Sequence, residues 1–339
     1  MTSPSTTSPP EQEQLPGPDA PAAWSAGTRP PARSRKRTST ITRPSSVLYL
    51  FALPGLLLLV LFHYVPLLGN IIAFKSYLPF IGILESPWVG WENFTDALAD
   101  QDFYRALTNT LIITFVQVVL VFPAPLVLAL MLNSMMSQRL RQTVQAIVYM
   151  PHFLSWVIVV AVFQEVFGAA GVINHILRAT GGRPLEIMTN PDLFISLVTA
   201  QVIWKDAGWA AILFFAALAQ IDRNLYEAAS VDGASRMRQL WHITMPGLKG
   251  IVIMLLILKL GNALSVGFEQ IILQQNAVGR DASEVLDTYV YNNGLIGGDW
   301  GMAAAVGLMK SIISVAIVLG ANKVAHIFGE DGVYRRVSH

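Results

Sequence analysis

An all-α fold, a polytopic membrane protein with six transmembrane helices, is predicted by composition, by the length of the apolar runs and by the sidedness of the basic residues. Of 339 residues, 53% are hydrophobic and only 13% charged; an ordinary soluble chain carries roughly 25% charged residues. Mean hydropathy is +0.49. A helix needs about 20 apolar residues to cross the hydrocarbon core. Six runs reach that length: roughly 46–74, 107–133, 144–167, 192–219, 248–272 and 301–327.

The segments between these runs alternate in charge. Segments 134–143 and 220–247 carry Arg139, Arg141, Arg223, Arg236 and Arg238, and the C-terminal part adds Lys323, Arg335 and Arg336. Segments 75–106 and 273–300 instead hold Glu85, Glu92, Asp96, Asp100 and Asp102, then Asp281, Glu284, Asp287 and Asp299. Lys and Arg collect on the cytoplasmic side of membrane proteins. Both termini and segment 220–247 are therefore expected there. The formal net charge of +1 says little beside this distribution, and the absence of cysteine excludes disulfides, thiolate catalysis and cysteine metal sites.

Residues 1–45 are rich in Pro, Ser, Thr, Ala and Arg without apolar periodicity, and read as a disordered basic cytoplasmic tail. Arg29, Arg33, Arg35, Lys36, Arg37 and Arg43 precede the first run as an inside-facing anchor rather than a nucleic-acid arm. The first helix and an external segment fill 46–106. His63 there reads as a buried, hydrogen-bonded residue rather than a ligand. Trp88, Trp91, Phe94 and Tyr104 form an interfacial aromatic belt or a surface for an external partner. A core of five further helices occupies 107–327, with 328–339 as a short cytoplasmic tail.

Run 107–133 contains Asn109, Gln117, Pro123 and Pro125, and run 144–167 opens on Tyr149-Met150-Pro151-His152. Run 192–219 holds Gln201, Trp204, Lys205, Asp206 and Trp209 near its middle. Indole rings beside amides and charges suit a sugar, whose faces are apolar and whose rims are hydroxyls. A kinked helix with internally paired polar groups explains the same residues. Run 248–272 holds Lys259, about a dozen residues in and so near the midplane, with Asn262, Phe268 and Glu269 following. Small residues recur in the last run and permit close helix approach; Lys310 within it suits a structural role.

Segment 220–247 is the most specific stretch. Leu225, Ala228 and Ala229 share one helical face, and Met237, Leu240, Trp241 and Thr244 repeat at helical spacing. A carboxylate at Glu227 suits a helix start. Gly233 permits a sharp bend, and Pro246 marks the end of a second helix. The pattern Glu227-Ala228-Ala229, then Asp232-Gly233, then Ile243 and Met245-Pro246 resembles the EAA loop of binding-protein-dependent ABC importer permeases, with Met245 where leucine is usual. The stretches around Pro151 and Trp156, at Gly267-Phe268-Glu269-Gln270 and at Thr288-Tyr289-Val290-Tyr291 resemble the subfamily importing oligosaccharides and polysaccharide fragments.

That resemblance implies a type I ABC importer (MetI-like) permease fold in a bacterial cell membrane. It also implies ATPase coupling through Glu227, Ala228, Ala229, Asp232, Gly233, Ile243 and Pro246, and a carbohydrate path along the last three or four spans, where the polar and aromatic residues Gln201, Trp204, Trp209, Lys259, Asn262 and Phe268 are the candidates. The implied partners are a cytoplasmic ABC ATPase dimer, a second and different permease, and an external solute-binding lipoprotein. The chain itself has no Gly-rich nucleotide loop, zinc motif or nucleophile elbow, so no cofactor, metal or enzymatic activity is expected of it, and ATP belongs to the ATPases. The alternative is an ion-coupled secondary transporter relaying protons through Lys205, Asp206, Lys259 and Glu269.

Overall fold

The computed structural model describes residues 46–327. The expected tails, 1–45 with its basic cluster and 328–339, lie outside the described residues. The chain divides into two units, residues 1–57 and 58–339. Of the first, residues 46–57 are described and are helical, with Pro54 inside the helix.

Six helical stretches are long and apolar enough to cross a membrane: Tyr49–Phe74, Gln101–Asn133, Trp156–Ala179, Pro191–Leu218, Arg236–Gly261 and Trp300–Ile327. They are called spans 1 to 6. Span 4 is the central one. In its most apolar window 44% of residues are buried, against 22% or less in every other span. It packs on the second half of span 2, on span 5 and on the short helix Gln138–Tyr149. Ala129, Ala211, Phe214, Leu218 and Leu248 form the shared core there. Gly208 permits the closest approach, since a Cβ at that position would lie 2.0 Å from the Val148 carbonyl oxygen.

Two span limits differ from those read from hydropathy. Run 144–167 is not one helix. Gln138–Tyr149 ends at a 3₁₀ turn, Met150–Phe153, and span 3 begins at Trp156. Pro151 has no N–H and disfavours helix at Met150, and Ser155 caps the next helix by accepting from the Ile158 N–H at 3.4 Å. Run 248–272 is likewise interrupted. Span 5 stops at Gly261, and a separate helix, Phe268–Val278, starts after Gly267 at φ +105°, a conformation only glycine adopts cheaply. Hydropathy alone sees neither break, because apolar side chains continue through both.

Three prolines within spans are accommodated in the same way. Pro66, Pro123 and Pro246 each follow a π-helical turn, at Val60–Tyr64, Gln117–Val121 and Leu240–Thr244. A wider turn relieves the clash between the ring and the carbonyl of the preceding turn, and absorbs the missing donor. Contrary to the expectation from the sequence, Pro246 therefore does not end a helix. The helix that begins at Arg236 passes through it and continues to Gly261.

Candidate functional site

The segment between spans 4 and 5 builds a stiff bent element. Asp222 caps the helix Arg223–Val231 by accepting from the Asn224 N–H at 3.0 Å. At its other end the Ala234 N–H donates to the Ala229 carbonyl at 2.8 Å, and the Gly233 N–H to the Ser230 carbonyl at 3.1 Å. This pair of bonds is a Schellman termination, which requires a left-handed residue just past the helix. Gly233 supplies it at φ +75°. Ser235 then starts the next helix.

The two arms are tied side to side. Tyr226 Oη and Thr244 Oγ1 share a hydrogen bond at 2.9 Å, and Gln239 Nε2 donates to Ser230 Oγ at 3.0 Å and to the Ala234 carbonyl at 3.2 Å. Glu227, Ala228, Asp232 and Gly233 are exposed on this element, Ala229 and Ile243 are half-buried, and Pro246 is exposed within span 5. Leu225, Val231, Met237 and Trp241 also present apolar side chains outward, Val231 at 88% exposure. A polar, capped, rigid helix pair with an uncovered apolar face is suited to insertion into a complementary groove.

The six candidate pathway residues fall into separate groups. Gln201 is fully buried and lies in a glutamine cluster. Its Oε1 accepts from Gln270 Nε2 at 2.7 Å and from Gln274 Nε2 at 3.0 Å, and its own amide donates to Gln274 Oε1 at 3.1 Å. Gln270 also donates to the Val198 carbonyl at 2.9 Å, locking helix Phe268–Val278 to span 4. Gln201 is thus a packing residue in this conformation. Trp204 meets Phe163 edge to face, and Phe268 packs on Tyr291.

Trp209 stacks flat on the His152 ring, 4.7 Å between centroids and 3° between planes. His152 Nδ1 lies 2.9 Å from Asp206 Oδ1, and the His152 carbonyl accepts from Lys205 Nζ at 2.7 Å. Lys205 is also 3.8 Å from Asp206 and sits over the Trp156 ring. Adjacent charges in span 4 are thereby satisfied by the break at Met150–Phe153. Both trends expected from the sequence coexist: the charges pair internally, and the Trp209 ring remains half-exposed beside them.

Lys259 closes the last turn of span 5 rather than lying midway along its helix, because that helix starts as far back as Arg236. Its neighbours nonetheless place it deep. Nζ donates at 3.0 Å to Oε1 of Gln117, the middle of span 2, and Gln117 Nε2 donates to the Val266 carbonyl at 3.1 Å. Asp206, in the middle of span 4, acts on it from beyond ion-pair distance. Lys310 by contrast is ion-paired with Asp287. Lys259 is the lysine of the three whose direct partner is a neutral amide. Asn262, exposed, follows it at the break.

His152, Asp206, Gln117, Gln270 and Gln274, which are not among the six candidates, are the partners that hold Trp209, Lys259 and Gln201 in place. The signal for Gln270 and Gln274 was their spacing of four, which puts both amides on one helical face. Their partner on span 4 is distant in sequence, so no local pattern could announce it.

Residues 121–325 match the family model described as the binding-protein-dependent transport system inner membrane component. Protein LplB of Bacillus subtilis (strain 168) is 42% identical over 288 residues, covering 85% of this chain and 91% of that relative. The polygalacturonan/rhamnogalacturonan transport system permease protein YteP of the same organism is 42% identical over 301 residues, covering 88% and 94%. Among solved structures, a chain of the bacterial alginate ABC transporter, crystallised with its alginate pentasaccharide-bound periplasmic protein, superposes with a TM-score of 0.78. It is 35% identical, and the match covers 85% of this chain and 96% of that one.

Proposed function

The chain belongs to the family of binding-protein-dependent transport system inner membrane components, and from that premise we propose that it lines the import path of an acidic oligosaccharide. It is a permease subunit of an ABC importer in a bacterial membrane, a transport subunit rather than an enzyme. Nothing in the relatives favours ion-coupled transport. In this reading the termini and segment 220–247 face the cytoplasm, where Glu227, Ala228, Ala229, Asp232, Gly233, Ile243 and Pro246 dock on an ATPase dimer that alone binds ATP. A second, different permease completes the path, and an external solute-binding lipoprotein delivers the sugar. The exposed apolar face of the helix pair, continuous with span 5, supports the docking role.

The acidic character of the substrate is carried by one observation: Lys259. Lys205 stands beside Asp206, whereas Lys259 has only the Gln117 amide as a direct partner. A cation at bilayer depth costs at least a few kcal/mol; Asp206 offsets this only from beyond ion-pair distance, and a carboxylate arriving on the substrate would offset it directly. Trp204, Trp209, Asn262 and Phe268 offer the stacking and polar surface that sugar rings use, and Gln201 supports them from within. That two relatives bear the names alginate transporter and polygalacturonan permease is consistent with such chemistry.

The test is uptake by the complete importer, reconstituted with its ATPases, second permease and binding protein. A trimannuronate is expected to be taken up in an ATP-dependent manner, with maltotriose as neutral comparison. Lys259→Gln is expected to cut uptake of the acidic sugar about tenfold, equivalent to ~1.4 kcal/mol. Equal uptake of both sugars by the unaltered protein would remove the acidic assignment.

A further inference from the structure

A cavity of about 660 Å³ opens between the helix Gln138–Tyr149, the end of span 4 and the start of the bent helix pair. Its floor is apolar, with Phe215, Leu218 and Ile221 among its residues; its walls carry Arg141, Arg223, Asn133, Gln142, Gln145 and Tyr226. Among the described residues neither guanidinium group makes a hydrogen bond or ion pair to another group, although Glu227 lines the same space. Basic residues on this side of a membrane protein are expected for topology alone. Topology does not ask that they converge on a cavity with three amides, a phenol and an aromatic floor.

We propose that this cavity is a second, inward-side binding site for the carboxylated sugar, distinct from the membrane path. The inference rests on the acidic-substrate reading above. Guanidinium groups bind carboxylates in planar, two-pronged fashion. Asn133, Gln142, Gln145 and Tyr226 offer donors and acceptors for hydroxyls, and Phe215 offers a face for a sugar ring. The volume falls within the range of ordinary small-molecule sites.

The site also has a consequence for control. Arg141 stands on the helix next to span 3, whereas Arg223, Tyr226 and Glu227 stand on the first arm of the coupling element. An occupant held by both arginines ties that arm to its neighbour. Accumulated product on the inside then slows the importer, and no separate regulatory domain is needed.

The experiment uses the complete importer without its binding protein, nucleotide-free, in nanodiscs of phosphatidylcholine, and measures equilibrium binding of a fluorescent trimannuronate. All variants are made on a Lys259→Gln background, so that the membrane path contributes little. Binding is expected to persist in that background, to weaken about tenfold with Arg141→Gln or Arg223→Gln, and to be largely kept with Arg141→Lys. Unchanged thermal unfolding of Arg141→Gln establishes that the fold is intact. No binding to the Lys259→Gln importer, or equal binding by Arg141→Gln, overturns the proposal. Loss of binding when phosphatidylglycerol is added identifies a lipid headgroup phosphate as the occupant and also overturns it. Uptake assays with the unaltered importer judge the substrate reading separately.

Discussion

Replacing Gly233 separates a mechanical role for the bent segment from a merely connecting one. The residue sits at φ +75°, and a Cβ added there meets nothing within 4 Å. Alanine therefore suffers only the left-handed backbone penalty, about 1 kcal/mol, and asparagine suffers less. Proline is locked near φ −65°. It cannot reach the observed conformation, and it deletes the N–H that donates to the Ser230 carbonyl. Losing both capping bonds at about 1 kcal/mol each costs roughly 2 kcal/mol, on top of a backbone angle that no longer permits the turn. That exceeds what one short capped helix can absorb, so the helix end unwinds. ATP-dependent uptake, normalised to the amount of inserted protein, is expected to fall in the order Gly, Asn, Ala and then Pro, with Pro inactive. Co-purification of the ATPase subunit should fall with it. Transport by Gly233→Pro equal to that of Gly233→Ala would refute a need for the Schellman turn.

Two further substitutions probe the support of the path. Gln201→Leu removes the acceptor for two buried amides and is expected to cost about 2–4 kcal/mol, read as a lower unfolding temperature of the purified importer; an unchanged temperature would deny the glutamine cluster its role as a lock. Tyr289 is buried, and its hydroxyl donates to Asp100 Oδ2 at 2.5 Å. Burial first, then the bond to Asp100, raises the phenol above its ordinary value. Its contribution to stability is accordingly full below about pH 10 and is lost as the pH climbs from there toward the raised value. Tyr289→Phe should lower stability at neutral pH and flatten its alkaline decline, and an identical decline in both proteins would count against the bond.

The number of spans was legible because hydropathy integrates over some twenty residues and forgives local detail. Their ends were not, for the reasons seen at Pro151 and Gly267. Chain direction changes at those points while side-chain polarity does not. Segment 220–247 was readable in part: Gly233 marked the bend, whereas the caps at Asp222 and Ser235, equally local, emerged only from the structure. The path was readable only as an inventory. Gln201, Trp209 and Lys259 were visible as polar or aromatic residues in apolar runs. Whether each would be locked, stacked or left with a neutral partner depended on Gln270, His152 and Gln117, which are remote in sequence. Lys205 and Asp206 illustrate the same limit: their shared partner, His152 on the turn Met150–Phe153, is more than fifty residues away in sequence.

Continuity of the helix through Pro246 links the bent segment to Lys259. Had the proline ended the second arm, as its missing donor suggested, a flexible joint would separate the coupling segment from the membrane. The π turn at Leu240–Thr244 instead keeps Arg236–Gly261 a single helix, about 39 Å long at 1.5 Å per residue. Lys259 lies on its last turn, and the Tyr226–Thr244 bond fastens the first arm near its base. Any displacement imposed on the Arg223–Val231 arm must then reach the lysine as motion of one rod, pulling Nζ along or away from Gln117 on span 2. The far side of the path is held by a different device, the glutamine cluster that fastens Phe268–Val278 to span 4. Between rod and lock lies only the interrupted segment 262–267, whose exit is Gly267 at φ +105°. Motion applied at the arm is therefore expected to concentrate there, beside Lys259 and its bond to Gln117.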